Sequence, residues 1–109
     1  LVKRIAPPWL TFREALGAGH LGRIEDRKYL DWVKTLNCCA CNAPADDPHH
    51  IVVAGFKGMG SKTPDHWAIP LCREHHDALH HNRTEWEERY GSQWEHAALT
   101  MLQHMIEGK

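Results

Sequence analysis

No run of about 18 apolar residues occurs in this 109-residue sequence, which excludes a membrane-spanning helix. A signal peptide is also absent, so the reading is a soluble, non-exported protein. Charge of one sign is missing too: 13 Lys and Arg stand against 14 Asp and Glu, a formal net charge of -1. That balance excludes a histone-like protein that binds nucleic acid by bulk charge, and any DNA contact has to be local. Length is modest. A chain of 109 residues makes one domain, and a structural metal would add folding free energy that so small a core lacks. The first residue is Leu rather than Met, and the chain reads as the C-terminal part of a longer protein.

Cysteine is scarce and unevenly placed. All four cysteines and seven of the ten histidines fall between Cys38 and His81. Two disulfides are the alternative to metal binding. However, Cys38, Cys39 and Cys41 sit too close together to pair with one another, and disulfides would leave the histidines unexplained. Thiolates and neutral imidazoles crowded at short, fixed spacings are what a zinc site requires.

Residues 1–23 form an N-terminal arm in which Thr11 and Glu14 make a capping box for a short helix to about Leu16, broken by Gly17, Gly19 and Gly22. Lys3, Arg4, Arg13 and Arg23 are either phosphate contacts or, more simply, a solvated arm. Over 24–37 a helix is predicted, because Tyr29, Trp32, Val33 and Leu36 repeat at i, i+3, i+4 and i+7, with Asn37 as its terminator. In Cys38-Cys39-Ala40-Cys41 the outer pair has the two-residue separation that brings both thiolates to one ion, Cys39 being a buried small residue. Asn42 and Pro44 close this knuckle. His49 to Val53 reads as a strand and 55–64 as a loop. Trp67 to Leu71 reads as a second strand, in which Pro70 requires an edge or an end.

From Cys72 to His81 the pattern is helical, and spacing decides which ligands share an ion. His76 and His80 lie about 40° and about 6 Å apart on a helix and can grip one metal. His75 is turned roughly 140° from His80, which leaves it to pair with Cys72. Two sites follow. Cys38, Cys41, Cys72 and His75 make a closed structural zinc site, whereas His49, His76 and His80 hold a second ion with positions left open, as a catalytic metal needs. If the second site is discounted, His76 and His80 merely decorate a surface helix while His49 packs. Beyond it, residues 84–107 carry two C-terminal helices, opened by the capping boxes Thr84 with Glu87 and Ser92 with Glu95 and separated at Gly91. In the last of these, Trp94, Ala97, Ala98, Met101, Leu102 and Met105 form an apolar stripe read as core, with a dimer contact as the alternative.

The order of strand with His49-His50, loop, strand, and helix with Cys72-x-x-His75-His76 resembles the HNH, or ββα-metal, nucleases. The likeness is greater to phage-borne members such as Ref-like recombination nucleases and lambdoid prophage proteins. It covers 38–81. It implies an α+β fold: a ββα-metal core with a zinc knuckle, flanked by N-terminal and C-terminal helices, in one domain over 1–109. By that resemblance His49 is a metal ligand and His50 the general base, with Asp47 as a rival ligand, and the helical pair is His76 and His80. The chain departs from the family at the middle residue of the signature, usually Asn, where it has Trp67. Asp65 or His66 has to fill that role, and Asp65 is the choice because phage relatives often carry an acidic residue there.

The activity implied is metal-dependent hydrolysis of DNA phosphodiester bonds in the cytoplasm of a bacterial host, in phage recombination or DNA processing, with a recombination protein as a further partner. The catalytic divalent ion could be Mg, Mn, Ni or Zn. Lys57, Lys62 and Arg73 are the nucleic-acid-binding candidates, and Gly58 and Gly60 allow close backbone approach, against the simpler reading of a solvated loop. The alternative function is a non-catalytic zinc module for nucleic acid or a protein partner, which needs the four zinc ligands and has no use for His49, His50, His76 and His80.

Overall fold

A computed structural model of the chain describes residues 9–11, 14, 25–51 and 64–108. The fold is mixed α+β: α1 (Arg27–Val33), β1 (Asp47–His50), a 3-10 turn (Asp65–Trp67), β2 (Ala68–Leu71), α2 (Arg73–His81), α3 (Arg83–Tyr90) and α4 (Gln93–Glu107). None of the described helices is long and apolar enough to cross a membrane. Thr11 and Glu14 exchange the two hydrogen bonds of a capping box. The helix expected after them and the loop over 55–63 lie outside the described residues.

Helix α1 is shorter than the 24–37 expected. Asp26 sets its start, because the Asp26 carboxylate accepts from the Tyr29 N–H at 3.1 Å. Past Val33 the chain continues only in tight turns, Thr35 N–H to Trp32 and Leu36 N–H to Val33. Tyr29 and Val33 are buried, while Trp32 and Leu36 are half-buried.

Strands β1 and β2 pair antiparallel, with Asp47 opposite Leu71, Pro48 opposite Pro70, His49 opposite Ile69 and His50 opposite Ala68. Placing the two prolines opposite each other costs no ladder bond, since neither N–H position points at the partner strand there. The outward-facing carbonyl of Pro70 instead accepts from the Cys39 N–H at 3.0 Å and fastens the knuckle to β2. The first strand begins two residues earlier than expected and ends at His50. Ile51 follows it into the core, and Val52 and Val53 lie outside the described residues. Trp67 belongs to the 3-10 turn, so the second strand starts one residue later than expected.

The main core gathers Ile51, Ile69, Leu71, Leu79, Trp86 and Ala97 around β2, together with Cys38 and Cys72. Fully burying a side chain such as Ile69 or Leu71 stabilises by about 1.5–3 kcal/mol. Two corrections concern the C-terminal helices. Helix α3 is capped by Asn82, whose side chain accepts from the Glu85 N–H at 3.1 Å, rather than by Thr84. Glu87 instead accepts from the Gln93 N–H at 3.0 Å and ties α3 to the start of α4. Gly91, at φ 99°, makes the break between them, and Ser92 caps α4 through the Trp94 N–H.

Of the expected stripe, α4 fully buries Ala97 alone. Gln93, Ala97 and Thr100 are buried, whereas Trp94, Leu102 and Met105 are 37%, 53% and 72% exposed. Ala97 lets the helix come close to β2, and the Thr100 hydroxyl donates to its own helix at His96 O, 2.7 Å away. Gln93 is buried for a reason that belongs to the site.

Candidate metal centre

The knuckle is shaped by backbone bonds, Cys38 N–H to Ala43 O and Asn42 N–H to Cys38 O. Asn42 takes the left-handed conformation, φ 65°, that Asn tolerates and most residues avoid. This curl presents Cys38 and Cys41 to Cys72, which stands in extended backbone just before α2, and to His75 on its first turn. One ligand atom from each of Cys38, Cys41, Cys72 and His75 lies within 4.8 Å of all the others. Cys41 Sγ and Cys72 Sγ are 3.7 Å apart, and Cys72 Sγ lies 3.1 Å from His75 Nδ1. Tetrahedral zinc with bonds of about 2.3 Å sets sulfur atoms about 3.8 Å apart, so the set fits zinc or a similar ion.

All four cysteines are free thiols, and the disulfide alternative drops out. Burial alone would raise the Cys38 thiol, but hydrogen bonds from the Cys72, Ala40 and Cys41 backbone bring it below the ordinary value. Cys72 is pushed up by burial, with the neighbouring thiols adding to the shift. Cys39 takes no part in the cluster. Half-buried, its thiol is raised to about 12 by burial first and then by the surrounding sulfurs.

A second cluster lies across β1 and α2. His49, His76 and His80 each offer one nitrogen within 4.8 Å of the others. The distances are 3.1 Å from His49 Nδ1 to His76 Nε2 and 3.1 Å from His80 Nε2 to His76 Nε2. Bonds of about 2.0–2.1 Å to a tetrahedral ion place nitrogens about 3.3 Å apart, and the three imidazoles fit one ion. Two further side chains fix which nitrogen faces it. His49 Nε2–H donates to the buried Gln93 Oε1 at 3.2 Å, and His76 Nδ1–H donates to Asp47 Oδ2 at 3.3 Å. The lone pairs of His49 Nδ1 and His76 Nε2 are left facing each other. Asp47 therefore stands behind a ligand and is not one of the clustered ligands. Burial, with His76, His80 and His50 nearby, lowers His49 to about 4, against the opposing bond to Gln93.

His50 follows His49 on the strand and points to the opposite face, as strand alternation requires. There its Nε2 lies 2.7 Å from Asp65 Oδ1. Asp65 is 3% exposed, and its other oxygen accepts from the Asp26 N–H at 2.8 Å. His66 pairs with the Asp26 carboxylate at 3.0 Å, so Asp65 and not His66 stands against His50. Arg73 is exposed and binds Asp47 at 3.0 Å. Those two contacts, to Arg73 and to His76, keep Asp47 below the ordinary carboxylate value despite some burial. Lys57 and Lys62 lie outside the described residues. Sequence reasoning did not single out Gln93 or Asp26. Asp26 has a detectable signal, an Asp just ahead of a helical repeat. Gln93 has none, since a polar residue at the start of a helix reads as solvent-facing.

The family described as "Protein of unknown function (DUF968)" matches residues 19–108. The chain is similar to the "Uncharacterized protein YdfU" of Escherichia coli (strain K12), at 52% identity over 68 residues. That match covers 62% of this chain and 20% of the relative, so the chain spans about a fifth of the relative's length. No solved structure matches the chain.

Proposed function

The chain belongs to the DUF968 family, described as proteins of unknown function, and from its own site we propose that it is a metal-dependent DNA endonuclease of the HNH, or ββα-metal, type. The observation that carries this reading is the second histidine cluster, with a further histidine beside it held by a buried carboxylate. A zinc module needs the Cys38, Cys41, Cys72 and His75 set alone. It has no use for three imidazoles aimed at one point, two of them with their tautomers fixed from behind, nor for His50 clamped by Asp65.

In this reading β1, β2 and α2 are the ββα unit, the cysteine set holds structural zinc, and His49, His76 and His80 hold the catalytic ion. A divalent ion held by these three imidazoles, whether Mg, Mn, Ni or Zn, would supply positive charge beside the scissile phosphate and the departing 3′ oxygen. His50 supplies the base. Its Nε2–H is occupied by Asp65, so Nδ1, which no described residue engages, takes the proton from the attacking water, and Asp65 stabilises the imidazolium that forms. Asp65 thus takes the place of the family Asn by holding both the base and the Asp26 backbone. DNA is the substrate, and the work belongs to phage recombination or DNA processing in a bacterial cytoplasm.

The experiment is nicking of supercoiled plasmid by the zinc-loaded chain with Mg, Mn, Ni or Zn added, beside His76→Ala and His80→Ala. Cleavage that depends on added metal and is lost in both variants, with one zinc retained, supports the reading. A folded, zinc-loaded chain that binds DNA but leaves it intact under every metal would make it a binding module.

A further inference from the structure

A groove of about 550 Å³ runs between α1 and the start of α2, lined on one side by Arg27 and Lys34 and on the other by Arg73 and Asp77, and it reaches Asp47 and His76. Arg27 and Lys34 are seven residues apart, which on a helix puts them on one face and about 10 Å from each other. Both are exposed. The only carboxylate recorded against Arg27 among the described residues is Asp31 at 3.4 Å, a pair in which both side chains are largely in water. Such a pair is readily exchanged for another anion. Arg73 is bound to Asp47, and the same carboxylate accepts from His76. The groove and the histidine cluster therefore share a side chain.

We propose that this groove is the track for the phosphodiester backbone of one nucleic-acid strand, with Arg27 and Lys34 gripping phosphates on one side of the phosphate presented to His49, His76 and His80. The inference rests on the nuclease reading and adds two contacts from α1 to it. Phosphates recur about every 3.4 Å of axis along one strand, so a 10 Å span between cations covers about three nucleotides. A chain with a net charge of -1 has no bulk attraction for DNA, and its affinity has to come from such a local file of cations. An acidic peptide would also be drawn to the cations. It would have no reason to lie against a metal-ligand cluster, and the nucleic-acid strand is favoured for that reason.

The test uses the full chain in a His50→Ala background, so that DNA stays intact, and measures binding of a labelled DNA oligonucleotide by anisotropy between 50 and 200 mM salt, about the range over which phosphate contacts are usually resolved. Arg27→Ala/Lys34→Ala should weaken binding about equally across unrelated sequences and reduce the slope of log affinity against log salt by about 1.4–1.8, at about 0.7–0.9 per lost contact. Arg83→Ala/Arg89→Ala on α3 changes net charge equally and should leave the slope unchanged. An unchanged slope in the α1 variant, or an equal drop in the α3 variant, would overturn the track. So would loss of polyglutamate binding with DNA binding intact. In the His50-containing chain, DNA bound through Arg27 and Lys34 but never cut would end the nuclease reading and leave the track standing.

Discussion

Replacing Gln93 by Leu separates the role of a residue behind a ligand from that of the ligand itself. Gln93 is 1% exposed and His49 4%, so no bulk water takes over when the amide oxygen 3.2 Å from His49 Nε2 is removed. The variant then has two routes. Either Nε2–H stays in place without that acceptor, at about 1–3 kcal/mol, or the proton moves to Nδ1 and blocks the nitrogen that faces His76. Both routes weaken the ion site. Loss of a residue in this position lowers metal affinity about 10–100-fold, or about 1.4–2.7 kcal/mol. The assay is calorimetric titration of the zinc-loaded chain with Mn or Ni, beside nitrogen NMR of the His49 ring. Gln93→Glu, which keeps an acceptor, should retain affinity within a few-fold. A folded Gln93→Leu chain with unchanged affinity and the proton still on Nε2 would refute the reasoning.

Asp65→Ala removes acceptors from both the His50 ring and the Asp26 N–H, and should cost about 2–4 kcal/mol in urea unfolding as well as cleavage activity; loss of activity with no loss of stability would contradict the first half. Cys41→Ser should release the structural metal and lower the melting temperature, because Cys38 and Cys72 belong to the main core; zinc content and circular dichroism check it. In the metal-free chain, His49 binds its proton below about 4 when folded and below about 6.5 when unfolded. The unfolded state therefore holds more protons between those values, and stability should fall by up to about 3 kcal/mol as pH drops from 6.5 to 4. A His49→Gln chain should show a shallower fall over the same window.

The parts of the site that follow from local spacing were legible in the sequence. Cys-x-x-Cys and Cys-x-x-His fix distances within a few residues, and the i, i+4 relation of His76 and His80 is a property of any helix. That His49 and His50 divide between two faces follows from strand alternation, and the structure places them so. What joins distant segments was not legible. Gln93 reaches His49 across 44 residues, and no periodicity announces it. The α4 face was misread for the same reason: its Leu and Met residues outrank Gln93 and Thr100 in hydrophobicity. The buried face instead keeps only the small Ala97 of that stripe and adds polar groups that find partners inside. The start of α3 was misplaced because Thr84 and Glu87 have capping-box spacing, yet Asn82 caps two residues sooner and Glu87 is used by α4.

The central claim is that His50, held by Asp65, is the base of a nuclease. Its most direct test is single-turnover cleavage of plasmid by the wild-type chain and by His50→Ala, each folded, zinc-loaded and saturated with the same divalent metal. The account predicts cleavage by the wild type and a loss of about 10²–10⁴-fold in the variant, the usual share of a general base, with DNA binding and metal content unchanged. Equal cleavage by the two chains, or none by the wild type under any metal, would contradict it.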